Sequence, residues 1–298
     1  MKYLEKHPMI MIVIGVLGVS LSAIFVKYAQ APSAVTAAYR LCWTVLLMTP
    51  VTLGSRTIRK ELFHVDKKTL VLSILSGVFL AAHFALWFES LQHTSVASST
   101  TIVSTEVIWV SIGFCLFLKG RLSGKAVAAI GVTLVGSILI ALADSGAGEA
   151  HLYGDLLALF AAITVAVYML LGRLVRENTS TAVYTYLVYT ASAMGLLLLC
   201  LVQGHSLVGH GFGSVVVGLL LALFSTILGH SVFSWCLKFF SPSFVSASKL
   251  CEPVVAAVIA VFTFGEIPTM LQIAGGLLIL GGVFYYSGLE KGGETTHG

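Results

Sequence analysis

The chain has 298 residues, of which 57% are hydrophobic and only 10% charged, with a formal net charge of +4. A water-soluble domain carries charge on about a quarter of its residues, so a soluble fold would leave far more apolar surface than it could cover. An apolar solvent removes that problem, and the composition points to an all-α membrane protein. The basic residues are scattered through short loops, not gathered into a stripe, which excludes nucleic acid as a partner.

Runs of spanning length lie near 8–28, 33–53, 69–91, 95–118, 125–143, 152–173, 181–202, 213–237, 243–265 and 269–288. The first has the outline of a signal peptide, with Lys2 and Lys6 before it and Ala29-Gln30-Ala31 after it. It is longer than a usual signal core, and its removal would break the topology below, so it is read as a transmembrane helix. With the N-terminus in the cytoplasm, the cytoplasmic loops hold Arg56, Arg59, Lys60, Lys67, Lys68, Lys119, Arg121, Lys125, Arg173, Arg176, Lys238 and Lys291. The outer loops hold Asp144, Glu149, His151 and Glu266 and no Lys or Arg. This division satisfies the positive-inside rule and predicts ten transmembrane helices with both termini cytoplasmic, in the inner (cytoplasmic) membrane as a multi-pass protein.

The fourth and fifth spans resemble the ninth and tenth. Both pairs open with small hydroxyl residues and place a Glu in mid-span, Glu106 and Glu252. Both turn at a short polar segment, Lys119-Gly120-Arg121 against Gly265-Glu266-Ile267. Both continue with paired glycines, Gly131 and Gly136 against Gly276 and Gly281, and His83 lies near the register of His230. The units are residues 1–143 and 152–288, followed by a short cytoplasmic tail at 289–298. An odd number of spans per unit inserts the second copy upside down, the inverted-repeat architecture of secondary transporters, whose sites lie near the midplane. Small residues let helix backbones approach in lipid. The glycine-rich faces serve internal packing or a homodimer.

Pro32, the Tyr39-Arg40 pair, the Glu252-Pro253 step, the Phe264-Gly265-Glu266 turn and the glycine-rich last span resemble the drug/metabolite transporter superfamily, and within it the EamA type. The resemblance covers nearly the whole chain. It departs in the first half, where Val107 stands for a proline and Gly120 for an acidic residue. It implies export of metabolites or amino acids, although members also import.

Ionisable residues at bilayer depth are costly and usually face the bundle interior. Glu106 lies roughly 16 Å along its span, near the midplane. It reads either as a proton-coupling group or as a paired structural acid. Glu252 is its repeat mate, and it either couples protons or pairs internally with Lys249 at i, i+3. In that second case Glu252 stays ionised and Glu106 is the better proton carrier. Arg40 does not deprotonate; it either holds a substrate carboxylate or neutralises one of the two acids. His83 and His230 relay protons or pack. Tyr39, Trp43, Phe84, Trp87, Trp109 and Tyr168 line an aromatic cavity or serve as ordinary packing residues, and aromatic walls beside an acid suit amines. Lys27, Glu89 and Glu266 lie at span ends, where snorkelling explains them.

A small-molecule substrate moved by alternating access, with protons as coupling ion, is the expectation. Proton-coupled uptake or exchange of organic cations is the alternative within that class. The five cysteines show no CxxC or Cys/His spacing, so no metal or other cofactor is expected. Ser246-Ala247-Ser248-Lys249 matches the SxxK pattern of some enzymes, but no metalloprotease or hydrolase motif accompanies it. No pore-type loop or ring of like charge favours a channel.

Overall fold

A computed structural model describes residues 7–94, 96–144, 152–252, 254–255, 258–259 and 269–291. Lys2, Lys6, Glu149, His151, Pro253, the Phe264-Gly265-Glu266 turn and the side chain of Lys27 lie outside the described residues. All regular structure among the described residues is helical.

The helices in order are α1 (Pro8–Ser20), α2 (Ser22–Lys27), α3 (Ser33–Gly54), α4 (Arg56–Phe63), α5 (Lys67–His93), α6 (Val96–Ser104) and α7 (Glu106–Phe117). They continue with α8 (Gly124–Asp144), α9 (Leu152–Arg176), α10 (Thr181–Val202) and α11 (Gly211–Leu220). A π-helical segment (Leu221–His230) joins α11 to α12 (Ser231–Cys236), and α13 (Pro242–Lys249) and α14 (Met270–Lys291) complete the order. Eight helical stretches are long and apolar enough to cross a membrane: Pro8–Val26, Ser33–Gly54, Lys67–His93, Ser99–Phe117, Leu152–Arg176, Thr181–Val202, Gly211–Cys236 and Met270–Leu289. Gly124–Leu139 is a shorter apolar helix. The expected span at 243–265 is described only in part.

Local chemistry sets the helix starts. Asp66 caps α5 by accepting from the Thr69 amide at 3.0 Å, and Ser180 caps α10 by accepting from the Val183 amide at 3.3 Å. Ser241 caps α13 by accepting from the Phe244 amide at 3.2 Å, and Pro242 occupies the first turn, where a missing N–H costs nothing. Short α4 is amphipathic and has no buried residue, as befits a surface helix.

The bundle has an apolar core that also holds hydroxyls, and apolar residues cover its outside. Leu116, Phe117, Leu201, Val202 and Phe284 are exposed, whereas Ser76, Ser90, Thr44, Thr226 and Ser248 are buried. Small residues carry the closest helix contacts. A Cβ at Gly77 of α5 would lie 2.5 Å from the Val188 carbonyl of α10. A Cβ at Gly18 of α1 would lie 2.8 Å from the Gly229 amide of the π-helical segment. Gly120 has its own reason to be glycine: a Cβ there would strike the Phe114 ring at 2.2 Å.

Packing runs mainly between the halves. Helix α5 lies on α9 and α10, α3 on α10 and α11, α7 on α9 and α13, α8 on α14, and α1 on the π-helical segment and α13. This set is reciprocal. Exchanging each span for the one five places away turns α5 on α9 into the π-helical span on α1, and α5 on α10 into α11 on α3. The contacts α3–α10, α7–α13 and α8–α14 map onto themselves.

Candidate functional site

The fourth span is broken just before its acid. Ser104 turns its hydroxyl back to the Thr100 carbonyl (2.8 Å), and Thr105 to the Ile102 carbonyl (2.6 Å). The Thr105 amide bonds Ile102 at i−3, so α6 ends and α7 begins at Glu106. Hydroxyl side chains that satisfy nearby carbonyls offer the backbone an alternative to α geometry. Glu106 therefore sits in the first turn of a half-helix, whose N-terminal dipole favours negative charge.

The segment after α13 is interrupted in a similar way. Helix α13 ends at Lys249, and the Leu250 and Cys251 amides bond Ala247 and Ser248 at i−3 before the chain is helical again at Glu252. Across the α7–α13 crossing, Glu106 Oε1 accepts from Lys249 Nζ at 2.6 Å and from Ser246 Oγ at 2.9 Å. Glu106 is buried and Lys249 nearly so, with side-chain exposures of 6% and 14%.

The pairing of Lys249 with Glu252 at i, i+3 is thus not the one adopted. The turn at Leu250–Cys251 removes the continuous α geometry that this pairing needs, and Lys249 points to the other half. Glu252 is partly buried and lies within electrostatic range of Lys249, Glu106 and Arg40.

Arg40 is buried in α3, with 1% exposure. Its Nε donates to Thr226 Oγ1 at 2.8 Å, and its guanidinium carbon stands 4.1 Å from the Phe84 ring centroid. Its Nη2 has no acceptor. Among the described residues Arg40 makes no ion pair with either acid. Thr226 lies in the π-helical segment and also bonds the Leu221 carbonyl, five residues back. Single π turns inside helices are frequent at functional sites.

Phe84 joins the two histidines. Its ring centroid is 5.1 Å from that of His83 and 5.3 Å, edge-on, from that of His230. His83 Nδ1 donates to the Ala161 carbonyl at 3.0 Å, which places the proton of the neutral ring on Nδ1. Trp87 stacks on His83 at 6.1 Å. Tyr168 is 6.2 Å from His230 and shares a 2.9 Å hydrogen bond with Ser234. Tyr168, His230, Phe233, Ser234 and Lys249 line a cavity of about 10 Å³, with Met169 and Leu237. That volume is on the scale of one water molecule.

The structure thus gathers Arg40, His83, Phe84, Trp87, Tyr168 and His230 into one layer, with Glu106, Lys249 and Glu252 beside it. Tyr39 is elsewhere: its hydroxyl donates to the Leu207 carbonyl at 2.5 Å. Trp43 is half-buried one turn beyond Arg40, and Trp109 is partly buried one turn beyond Glu106, its indole N–H without an acceptor. Sequence reasoning missed Thr226, Tyr189 and Ser234, and treated Ser246 only as part of an SxxK match. Tyr189 shares a 3.0 Å hydrogen bond with Ser231. Hydroxyls are common in membrane helices, so nothing in their spacing marked these. Among the described residues no cluster of His, Cys, Asp and Glu converges to hold a metal.

The interrupted helices and the buried ion pair between them fit a membrane transporter, and the family and the names of its relatives point to that rather than to an enzyme. The profile of the EamA-like transporter family matches residues 7–142 and again residues 152–288, and the chain belongs to that family. It is similar to a probable amino-acid metabolite efflux pump of Salmonella typhimurium (25% identical, covering 75% of this chain and 79% of that one). A probable amino-acid metabolite efflux pump of Escherichia coli K12 is 26% identical over the same shares of the two chains. The uncharacterized transporter YxxF of Bacillus subtilis is 23% identical, over 73% and 70%. A solved crystal structure shares the fold with a TM-score of 0.80 at 15% identity, covering 96% of this chain and 98% of that one.

Proposed function

We propose that the protein is a proton-coupled secondary transporter of the inner membrane that exports amino acids or related small metabolites by alternating access. The observation that carries the reading is the Lys249–Glu106 ion pair, which ties α13 of one half to α7 of the other. Breaking a buried pair is costly, so a change of partner at Lys249 can bias how the halves sit. One cation serves two acids here. While Glu252 holds a proton, Lys249 remains on Glu106 and latches the crossing. When Glu252 loses it, Lys249 is drawn to Glu252 and the latch opens.

Two inverted repeats with both termini cytoplasmic complete the reading. The twofold family match and the reciprocal helix contacts support the repeats, and the distribution of basic loops supports the orientation. The names of the two efflux-pump relatives support export and amino-acid metabolites as cargo. The test is flux from proteoliposomes loaded with a radiolabelled amino-acid mixture, with and without a pH gradient. The gradient is expected to drive net flux in the wild type. Glu252→Gln, uncharged like the protonated acid, should hold the latch shut and lose exchange as well as the response to the gradient. Flux that ignores the gradient in the wild type, or a Glu252→Gln variant that still follows it, defeats the coupling claim.

A further inference from the structure

We infer that Arg40 is the anchor for a carboxylate on the transported solute, so that the cargo is an acid and not an amine alone. This rests on the transport reading and names its substrate class. Arg40 is buried, yet one of its outer nitrogens, Nη2, has no acceptor, while Nε is held by Thr226. A buried guanidinium that leaves a donor unpaired forfeits a strong charge-assisted bond. The two acids that could have taken it do not: Glu106 is occupied by Lys249 and Ser246, and Glu252 makes no ion pair with Arg40.

Trp87 Nε1, in the same aromatic layer, is also buried without an acceptor, and His83 spends its Nδ1 proton on Ala161. Thr226 and Phe84 fix the guanidinium from its edge and its face, so the remaining donor is held in place for an incoming oxygen. Preorganised Arg donors match carboxylate geometry. Phe84 touches both Arg40 and His230, and His230 lines the small cavity, so two side chains link the anchor to it.

The experiment uses the full-length protein purified in detergent and measures binding by thermal shift for the twenty L-amino acids, each beside its amide. The amide keeps the amine and side chain and loses the carboxylate charge. At least one acid is expected to bind the wild type about ten- to a hundredfold more tightly than its amide. Arg40→Gln should erase that preference. Thr226→Val, which keeps the charge but frees the guanidinium, should weaken acid binding several-fold while leaving the amide unchanged, and it decides the matter if Arg40→Gln does not fold. Equal binding of acid and amide, no acid bound at all, or a preference that survives both variants overturns the assignment. The same proteins in proteoliposomes separate the two readings. Flux with no Arg40-dependent preference sinks the anchor alone, and Arg40-dependent binding without flux sinks transport alone.

Discussion

At the scale of single residues, the Glu106–Lys249 pair has the largest expected effect. Lys249→Met leaves a carboxylate buried with only Ser246 to bond it, and should lower stability by about 3–5 kcal/mol. Combining it with Glu106→Gln removes the uncompensated charge, so the double variant should recover much of that loss, as read from a denaturation cycle. Additive losses would mean the two side chains do not interact. Asp66, outside the membrane-spanning segments, supplies a pH-dependent contribution. Its bonds from Thr69, side chain first and backbone second, hold its carboxyl below the usual aspartate range. A depressed folded pKa stabilises fully above the ordinary value of about 3.9 and is lost as pH falls through the lower folded value. Exchange of the Thr69 and Leu70 amides should therefore speed up relative to intrinsic rates in strong acid, and Asp66→Asn should abolish that dependence.

At the scale of elements, the glycines divide by what they face. A Cβ at Gly136 of α8 would come within 2.6 Å of the Gly275 carbonyl of α14, whereas one at Gly131 would meet nothing within 4 Å. Gly136→Ala should cost about 1–3 kcal/mol by forcing the two helices apart. Gly131→Ala should be neutral or slightly stabilising, since alanine is the better helix former. Equal losses at both sites, measured by thermal denaturation, would contradict the close α8–α14 contact. The repeat pattern paired these glycines with Gly276 and Gly281, yet Gly281 also faces open space and Gly276 makes only ordinary contact with Val254. The interrupted helices are where the proposed mechanism sits. Both acids follow a break where i−3 bonds replace the α ladder, and such discontinuities line binding sites in transporters.

At the scale of the whole molecule, the orientation is directly testable. With 14 of the 17 Lys and Arg residues in segments assigned to the cytoplasm and none in the outer loops, green fluorescent protein fused after Gly298 should fluoresce and alkaline phosphatase at the same place should stay inactive. The opposite result would invert the topology. On the proposed mechanism the Lys249–Glu106 pair draws its leverage from the contact of α7 with α13, where a shift would move one unit against the other and not a single loop.

The sequence by itself determined the class of solvent, most of the spans and the candidate acids, because hydropathy and charge act locally and survive without knowledge of neighbours. It also carried the repeat resemblance, since Glu106 and Glu252 recur at matching positions. Only the tertiary structure decided which partner each charge takes. Lys249 had an acid three residues away and another in the opposite half, and a one-turn interruption at Leu250–Cys251 sent it across. Likewise Arg40 could be placed at depth from its span alone, but that it lies on Phe84, is held by Thr226 and keeps an idle donor depends on a π-helical turn in a span far along the chain. Such pairings are set by which helix faces meet in the bundle, and residue spacing within one span does not encode them.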